Sequence, residues 1–316
     1  MTEKFKVLVS TESDDTVGHE LLARIAGVEV VGYDPTVEAL SDEQRSADAL
    51  LPPYRSSHRP IRLLSQLPHL KMVQLLSAGA DEWAGDVPAS ISLATARGAH
   101  AGPVSEWVMS AILAQFRRWP ALVRFQDSHT WAHRKFDADT LAGKNALIVG
   151  AGAIGGAVSR RLAAFETRST LVASKPRKGV HGPDELPHLI SGHAIVVVTA
   201  PLTSETLRLV DSEFLAKMDD GALLVNAGRG QIVDTSALVT ELQSGRLRAA
   251  LDVTDPEPLP ADHPLWSCTG AIVSPHSART VPGTNALCYQ VAAEQISAFL
   301  QGTKPANLVT DRPAAN

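Results

Sequence analysis

Asn145-Ala-Leu-Ile-Val-Gly150-Ala-Gly152-Ala-Ile-Gly155 is the stretch on which the fold turns. An apolar run of strand character enters Gly-x-Gly-x-x-Gly. A helical pattern follows, with Ile154, Ala157, Val158, Leu162 and Phe165 on one face. Strand, glycine turn and helix in that order form a dinucleotide fingerprint. Gly150 permits the tight turn, Gly152 lets a pyrophosphate approach the backbone, and Gly155 lets helix and strand pack closely. The phosphates are expected on the helix N-terminal amides, at Ala153, Ile154 and Gly155.

The next strand, Ser169–Ala173, ends where an NAD site places an acid for the ribose 2′-hydroxyl. Here the chain reads Ala173-Ser174-Lys175-Pro176-Arg177-Lys178, with no acid between Glu166 and Asp184. A hydroxyl at Ser174 and cations at Lys175 and Arg177 suit a 2′-phosphate, so the expected cofactor is NADP, with NADPH preferred over NADH.

Further from the fingerprint the same grammar repeats. Downstream strands are expected at Ala194–Thr199, Ala222–Asn226, Ala249–Val253 and Ala271–Ser274. Upstream ones fall at Lys6–Ser10, Val28–Gly32, Ala49–Leu51, Met72–Leu76 and Ser92–Thr95, with a helix over His19–Ile25. Short apolar runs alternating with helical patterns indicate parallel sheets with crossover helices. The fold class is α/β: a Rossmann dinucleotide-binding domain plus a flavodoxin-like domain. A long amphipathic helix opens at Gly102-Pro103, carries Val104, Trp107, Val108, Ala111, Ile112 and Phe116 on one side, and is expected to end near Trp119-Pro120. Asp127–Asp139 reads as a polar connector, and Asp255–Pro264, with four prolines, as a loop.

Three polar groups sit just past predicted strands: Arg229 in Asn226-Ala-Gly-Arg-Gly230, Glu257 after Leu251-Asp252, and His276 in Val273-Ser-Pro-His. Strand carboxyl ends are where an open α/β sheet presents its ligand crevice. A guanidinium clamps a carboxylate bidentately, and an imidazole paired with a carboxylate delivers a proton at neutral pH.

With these residues in place, the chain resembles the D-isomer-specific 2-hydroxyacid dehydrogenase family, glyoxylate/hydroxypyruvate reductases included. The likeness extends to Leu70-Lys71, Ser77-Ala78-Gly79-Ala80-Asp81, Val104-Ser105-Glu106, Leu141-Ala-Gly-Lys144, Thr199-Ala-Pro-Leu-Thr203 with Thr206, and Gly302-Thr-Lys-Pro-Ala-Asn307. The resemblance implies that His276 protonates the carbonyl oxygen of a small 2-oxoacid as hydride reaches the carbon, and that Glu257 holds His276 in its acid form. It implies that Arg229 binds the substrate carboxylate with help from amides near Ala78 and Gly79. Asp252 matches the residue that contacts the nicotinamide carboxamide. Thr199, Ala200, Pro201, Thr206, Ala227 and Gly228 fall in the cofactor-lining motifs. The family also implies a discontinuous substrate-binding domain, 1–98 with 283–316, around a dinucleotide-binding domain, 99–282. It implies a homodimer through the 102–119 helix region. His100 departs from the Asn common in the family, and a hinge role for Arg97 and His100 stands beside substrate contact. Arg279, next to the histidine motif, suits an extended anion.

Composition limits the alternatives. The 316 residues are 44% hydrophobic and 20% charged, with net charge −5 and 5% aromatics. These values support full cores and give no pull toward nucleic acid or anionic membrane. No apolar run approaches the ~18 residues of a membrane helix, and Met1–Ser10 lacks a signal-peptide core. Two cysteines, Cys268 and Cys288, fit packing in a reducing cytoplasm. His129, His133, His188 and His193 lack ligand spacing, so no metal is expected. The remaining alternatives are a 3-phosphoglycerate dehydrogenase-like enzyme and a dinucleotide-sensing, corepressor-like binding protein.

Overall fold

The computed structural model describes residues 4–55, 60–133 and 135–310; the ends of the predicted first domain, 1–3 and 311–316, lie outside them. In chain order the elements are β1 (Phe5–Ser10), α1 (Thr16–Ala23), β2 (Val28–Tyr33), α2 (Asp42–Arg45), β3 (Ala49–Leu51), β4 (Met72–Gln74), β5 (Ser92–Ala94), α3 (Ala101–Phe116) and α4 (Trp119–Asp127). Then come β6 (Asn145–Val149), α5 (Ala153–Ala163), β7 (Arg168–Val172), α6 (Leu186–Leu189), β8 (Ile195–Val198), α7 (Ser212–Lys217), β9 (Leu223–Asn226), α8 (Thr235–Gln243), β10 (Arg248–Leu251), β11 (Ala271–Val273) and α9 (Thr284–Leu300). Two compact units result: Met1–His100 with Val281–Asn316, and Ala101–Thr280.

In the first unit the strand order is β2-β1-β3-β4-β5, all parallel, the flavodoxin-like order. Alternation along each strand sends Val7, Val9, Leu51, Met72 and Ala94 to one face and Leu8, Leu50, Val73 and Leu93 to the other. The first face is closed by Leu22 of α1 and by Cys288, Tyr289, Ala292 and Ile296 of α9. The last helix of the chain thus completes the core of its first hundred residues.

Asp15, before α1, is buried in this unit; its Oδ1 accepts from the Tyr54 amide at 3.1 Å and the Tyr289 hydroxyl at 2.9 Å. Burial pushes its carboxyl above the ordinary range, against the lowering effect of these hydrogen bonds. The folded state therefore holds this proton where the unfolded chain, with a carboxyl near ~3.9, has released it. Stability falls as pH rises from that unfolded value through the elevated folded one. Asp15→Asn keeps the acceptor and removes the titration. Its stability relative to wild type should rise across that window, as urea midpoints at acid and neutral pH will show. Parallel pH dependences would refute the assignment.

The second unit has order β11-β10-β9-β8-β6-β7, again all parallel. Outside β7 the strand that would complete the standard Rossmann order is reduced to a single parallel bridge, Val172 to His181. Leu147, Val149, Val196, Val198, Leu224 and Leu251 pack with α7 and α8; Ile148, Val197, Val225 and Ala250 pack with α3 and α5. Gln115 of α3 donates to the Ala249 and Gly270 carbonyls, both at 2.9 Å, pinning the helix over β10.

Three expectations need correction. The helix predicted to run to Trp119-Pro120 stops at Phe116, whose carbonyl accepts the Asp139 amide at 2.9 Å. Arg118 then takes a left-handed conformation, φ 59°, and α4 begins with Pro120 in its first turn, where a missing N–H costs nothing. Phe165 does not share the buried face of α5, which ends at Ala163; the chain turns through Glu166, φ 58°, and leaves Phe165 42% exposed. The predicted strand Met72–Leu76 is regular only to Gln74, although Leu75 still donates to Ala94. Among the described residues no helix is long and apolar enough to cross a membrane.

Candidate active site

The glycine loop follows β6 at the point where the chain switches from the β7 side of the sheet to β8. Gly150 has φ 110°, and a β-carbon there would overlap the Ala200 amide and the Thr199 carbonyl carbon, both backbone. Gly155 is pressed against the Gly150 carbonyl. Gly150 and Ala151 donate to the Val172 carbonyl at 2.9 and 3.0 Å, and Thr199 Oγ1 donates to the Gly150 carbonyl at 2.8 Å. The loop is therefore fixed by its neighbours on both sides. Gly152 caps α5 with no side chain over the helix end and no acid in the first turn, so Ala153, Ile154 and Gly155 present amides to an anion. This is a cradle fit for a pyrophosphate.

Ser174, Lys175 and Arg177 lie exposed on the turn after β7. Arg177 Nη2 donates to the Ala151 carbonyl at 2.6 Å, so the guanidinium is held over the glycine loop. Paired backbone hydrogen bonds between Arg177 and Val180, at 3.0 and 2.8 Å, close the turn. At its far end the Glu185 carboxylate accepts from His181 Nδ1 at 2.7 Å and from the Gly182 amide at 3.0 Å, which holds its carboxyl below the usual range. Across the switch point, Thr206 Oγ1 donates to the Pro201 carbonyl at 2.7 Å and shapes the 201–206 turn.

Arg229, Glu257 and His276 follow β9, β10 and β11, which are neighbours in the sheet. After β9, Ala227 donates to the Val198 carbonyl at 3.0 Å, and Gly228 lies close to the Ala200 carbonyl. Asn226 is buried; its Oδ1 accepts the Gly228 amide and its Nδ2 donates to the Arg229 carbonyl, both at 3.0 Å. The guanidinium is steadied by Nη1 donating to the Gly228 carbonyl at 2.9 Å.

His276 Nδ1 lies 2.6 Å from Glu257 Oε1, with the two side chains 40% and 41% exposed. The imidazole projects from a left-handed residue, φ 51°, an uncommon conformation for a non-glycine. Asp252 holds that turn. Its buried Oδ1 accepts from Ser274 Oγ at 2.6 Å and the Ser277 amide at 2.8 Å, and Ala278 donates to both oxygens at 3.1 Å. Its own carbonyl accepts the His276 amide at 2.7 Å.

Ala78 and Gly79 belong to the first unit, in the loop after β4, where Ser77 Oγ donates to the Gly79 carbonyl at 2.6 Å. Arg97 bonds Asn307 Oδ1 and the Ala306 carbonyl, and buried His100 has Nε2 3.1 Å from Cys288 Sγ, so both serve the packing of that unit. Among the described residues no cluster of histidine, cysteine and acids is fit to hold a metal ion. Nothing in the sequence marks Asn226 or Ser274 as a positioning residue; the folded loops show Asn226 bracing the turn to Arg229 and Ser274 bonded to Asp252.

A glycine cradle at a Rossmann switch point, beside a guanidinium and a carboxylate-bound imidazole on adjoining strands, defines a dinucleotide-dependent oxidoreductase. Comparison with known proteins agrees. The family model for the D-isomer specific 2-hydroxyacid dehydrogenase NAD binding domain matches residues 109–278. The chain is 33% identical over 311 residues to a glyoxylate reductase of Aeropyrum pernix, covering 92% of this chain and 91% of that one. It is 34% identical over 247 residues to D-3-phosphoglycerate dehydrogenase of Mycobacterium tuberculosis, covering 73% of this chain and 45% of the longer relative. A solved D-isomer specific 2-hydroxyacid dehydrogenase from Xanthobacter autotrophicus Py2, in complex with NADPH and MES, matches over 98% of each chain with TM-score 0.82 and 27% identity. This chain belongs to the D-isomer-specific 2-hydroxyacid dehydrogenase family, NAD(P)-dependent enzymes that act on CH–OH groups.

Proposed function

We propose that the protein is an NADPH-dependent reductase of a small 2-oxoacid of the glyoxylate or hydroxypyruvate type, giving the D-2-hydroxyacid. The 2.6 Å contact between His276 and Glu257 carries the reading, because it pairs a proton donor with the carboxylate that stabilises its charged form. When bound, the reduced dinucleotide supplies hydride to the substrate carbonyl carbon. Arg229 takes the substrate carboxylate through its planar fork and polarises the carbonyl. With Nδ1 on Glu257, His276 gives the carbonyl oxygen its proton from Nε2. The amides near Ala78 and Gly79 are assigned to substrate as well, and the first unit to substrate binding. The second unit is assigned to the dinucleotide, with Thr199, Ala200, Pro201, Thr206, Ala227, Gly228 and Asp252 along its crevice.

Ser174, Lys175 and Arg177 support the NADPH preference, since one charge-assisted phosphate contact contributes ~1.5–3 kcal/mol. Catalytic efficiency with NADPH should exceed that with NADH by at least ~10-fold. Replacing Lys175 and Arg177 by Ala should erode the ratio through the NADPH KM. A panel of 2-oxoacids assayed with both cofactors tests reaction and preference together. Preference for NADH would reject the cofactor assignment, and oxidation of 3-phosphoglycerate in preference to small hydroxyacids would favour the phosphoglycerate-type alternative.

The same reading includes a homodimer formed through the 102–119 region. On the free chain α4 buries none of its residues, and Trp119 and Val123 stand 57% and 48% exposed, as an uncovered apolar face would. Sedimentation should give twice the chain mass, and Trp119→Glu should shift it toward the monomer; a wild-type monomer at micromolar concentration would refute the dimer.

A further inference from the structure

Glu257 is exposed and rides on a proline-rich loop whose far end is held by Leu259 against the core of the unit and by Trp266 Nε1, which donates to the Pro260 carbonyl at 2.8 Å. Pro256 and Pro258 have no amide to donate. Within the loop, Thr254 Oγ1 donates to the Pro256 carbonyl at 2.8 Å, and the Thr254 amide reaches Glu257 Oε2 only at 3.5 Å. Yet Glu257 must meet His276 at 2.6 Å. Ahead of Glu257, at Thr254 and Asp255, the loop rests on the segment that follows Arg229. A β-carbon on Gly230 would overlap the Thr254 carbonyl carbon and oxygen and stand 2.8 Å from the Asp255 amide, so the two backbones lie directly on one another. Five residues further on, Thr235 Oγ1 donates to the Asp255 carbonyl at 2.8 Å.

Thr235 is well placed to act as an anchor. It is the first residue of α8, whose start is capped by Asp234 Oδ1 accepting the Ala237 amide at 3.0 Å. Leu238 and Leu242 bury that helix in the core of the unit. The segment 229–235 therefore carries Arg229 at one end and the tether of the Glu257 loop at the other. We infer that Thr235 is a positioning residue for the proton-donating pair: through Asp255 it sets where Glu257 stands, and so how His276 is held. The inference rests on the reading of His276 and Glu257 as a coupled acid.

The test is a double-mutant cycle on the full-length enzyme, with pH profiles of 2-oxoacid reduction, comparing Thr235→Val, Thr235→Ser, Glu257→Gln and Thr235→Val with Glu257→Gln. Thr235→Val keeps the shape and removes the hydroxyl. It should lower kcat by about threefold to tenfold, the scale of one neutral hydrogen bond. It should also move the limb of the profile toward that of Glu257→Gln and leave the dinucleotide KM in place. Thr235→Ser should restore the wild-type profile. In the Glu257→Gln background, Thr235→Val should cost little more, because both changes act through one carboxylate. Equal losses in both backgrounds, or an unmoved limb, would reduce Thr235 to a structural contact and overturn the inference. Should Thr235→Val not fold, Thr235→Ala removes the same hydroxyl with a smaller side chain and is judged by the same criteria. If Glu257→Gln leaves the profile unchanged, the acid assignment falls and this inference with it. If Glu257→Gln shifts the profile and the threonine variants do not, only this inference falls.

Discussion

Replacing Arg229 with Lys should raise the 2-oxoacid KM by about 10- to 100-fold while the affinity for the dinucleotide is retained, the loss of a charge-assisted hydrogen bond being ~1.5–3 kcal/mol. The charge survives the substitution, and the planar fork does not. The wild-type guanidinium already spends Nη1 on the Gly228 carbonyl, at 2.9 Å, and Asn226 fixes the Arg229 carbonyl from the other side. A lysine ammonium has no second, rigidly related nitrogen with which to anchor and clamp at once. Because a carboxylate is held in both ground and transition state, the loss falls mainly on KM, with a smaller loss in kcat from poorer carbonyl alignment. Steady-state kinetics with the oxoacid varied, alongside a fluorescence titration of the dinucleotide, separate the two affinities. Weakened dinucleotide binding with unchanged oxoacid kinetics would place Arg229 in the cofactor site instead.

What could be read from sequence, and what could not, divides along a physical line. Strand runs such as Ala146–Val149 and Ile195–Val198 are apolar on both faces because both faces of the second sheet are covered, so their buried, parallel character shows in the residues themselves. The glycine fingerprint is legible for a related reason: Gly155 answers to the Gly150 carbonyl within one strand-turn-helix unit, and Gly150 to its own positive φ, although the backbone that crowds Gly150 comes from Thr199 and Ala200 after the neighbouring strand. Pro120 misleads, since a proline ends one helix or opens the next with the same local chemistry; the expected helix end at Trp119-Pro120 is in fact the start of α4, and α3 closes at Phe116, whose carbonyl accepts the Asp139 amide. Thr235, Asn226 and Ser274 were opaque. Thr235 and Ser274 take their roles from a loop brought alongside by a different strand, and a hydroxyl 20 residues from its acceptor leaves no periodic trace; Asn226 bonds its own turn at Gly228 and Arg229, a local contact that its residue type alone does not announce. That Arg229, Glu257 and His276 follow adjoining strands could be read because the strand runs before them are plain in the sequence. The groups that hold them in place could not.

His276→Asn should reduce turnover in the reductive direction by ~10²-fold or more while the dinucleotide still binds, since positioned general acids contribute ~10²–10⁴-fold. Asparagine retains a polar side chain of compatible size on the left-handed turn, a conformation it adopts more readily than most residues, and the Asp252 bonds to Ser274, Ser277 and Ala278 do not involve the imidazole. The lesion should therefore be chemical and not conformational. Glu257→Gln probes the other half of the pair. It preserves size and a hydrogen bond to Nδ1 and removes the negative charge that favours imidazolium. Reduction needs the ring protonated at the moment of hydride transfer, so the activity of Glu257→Gln should fade at lower pH than that of wild type. Oxidation of the hydroxyacid needs the neutral ring, and its rise with pH should begin earlier in the variant. The sign is thus opposite for the two directions, a pattern that a general loss of stability would not produce. Profiles of both reactions for wild type and both variants are the measurement. Limbs unmoved in Glu257→Gln, or near-normal turnover in His276→Asn, would remove this pair from the chemistry.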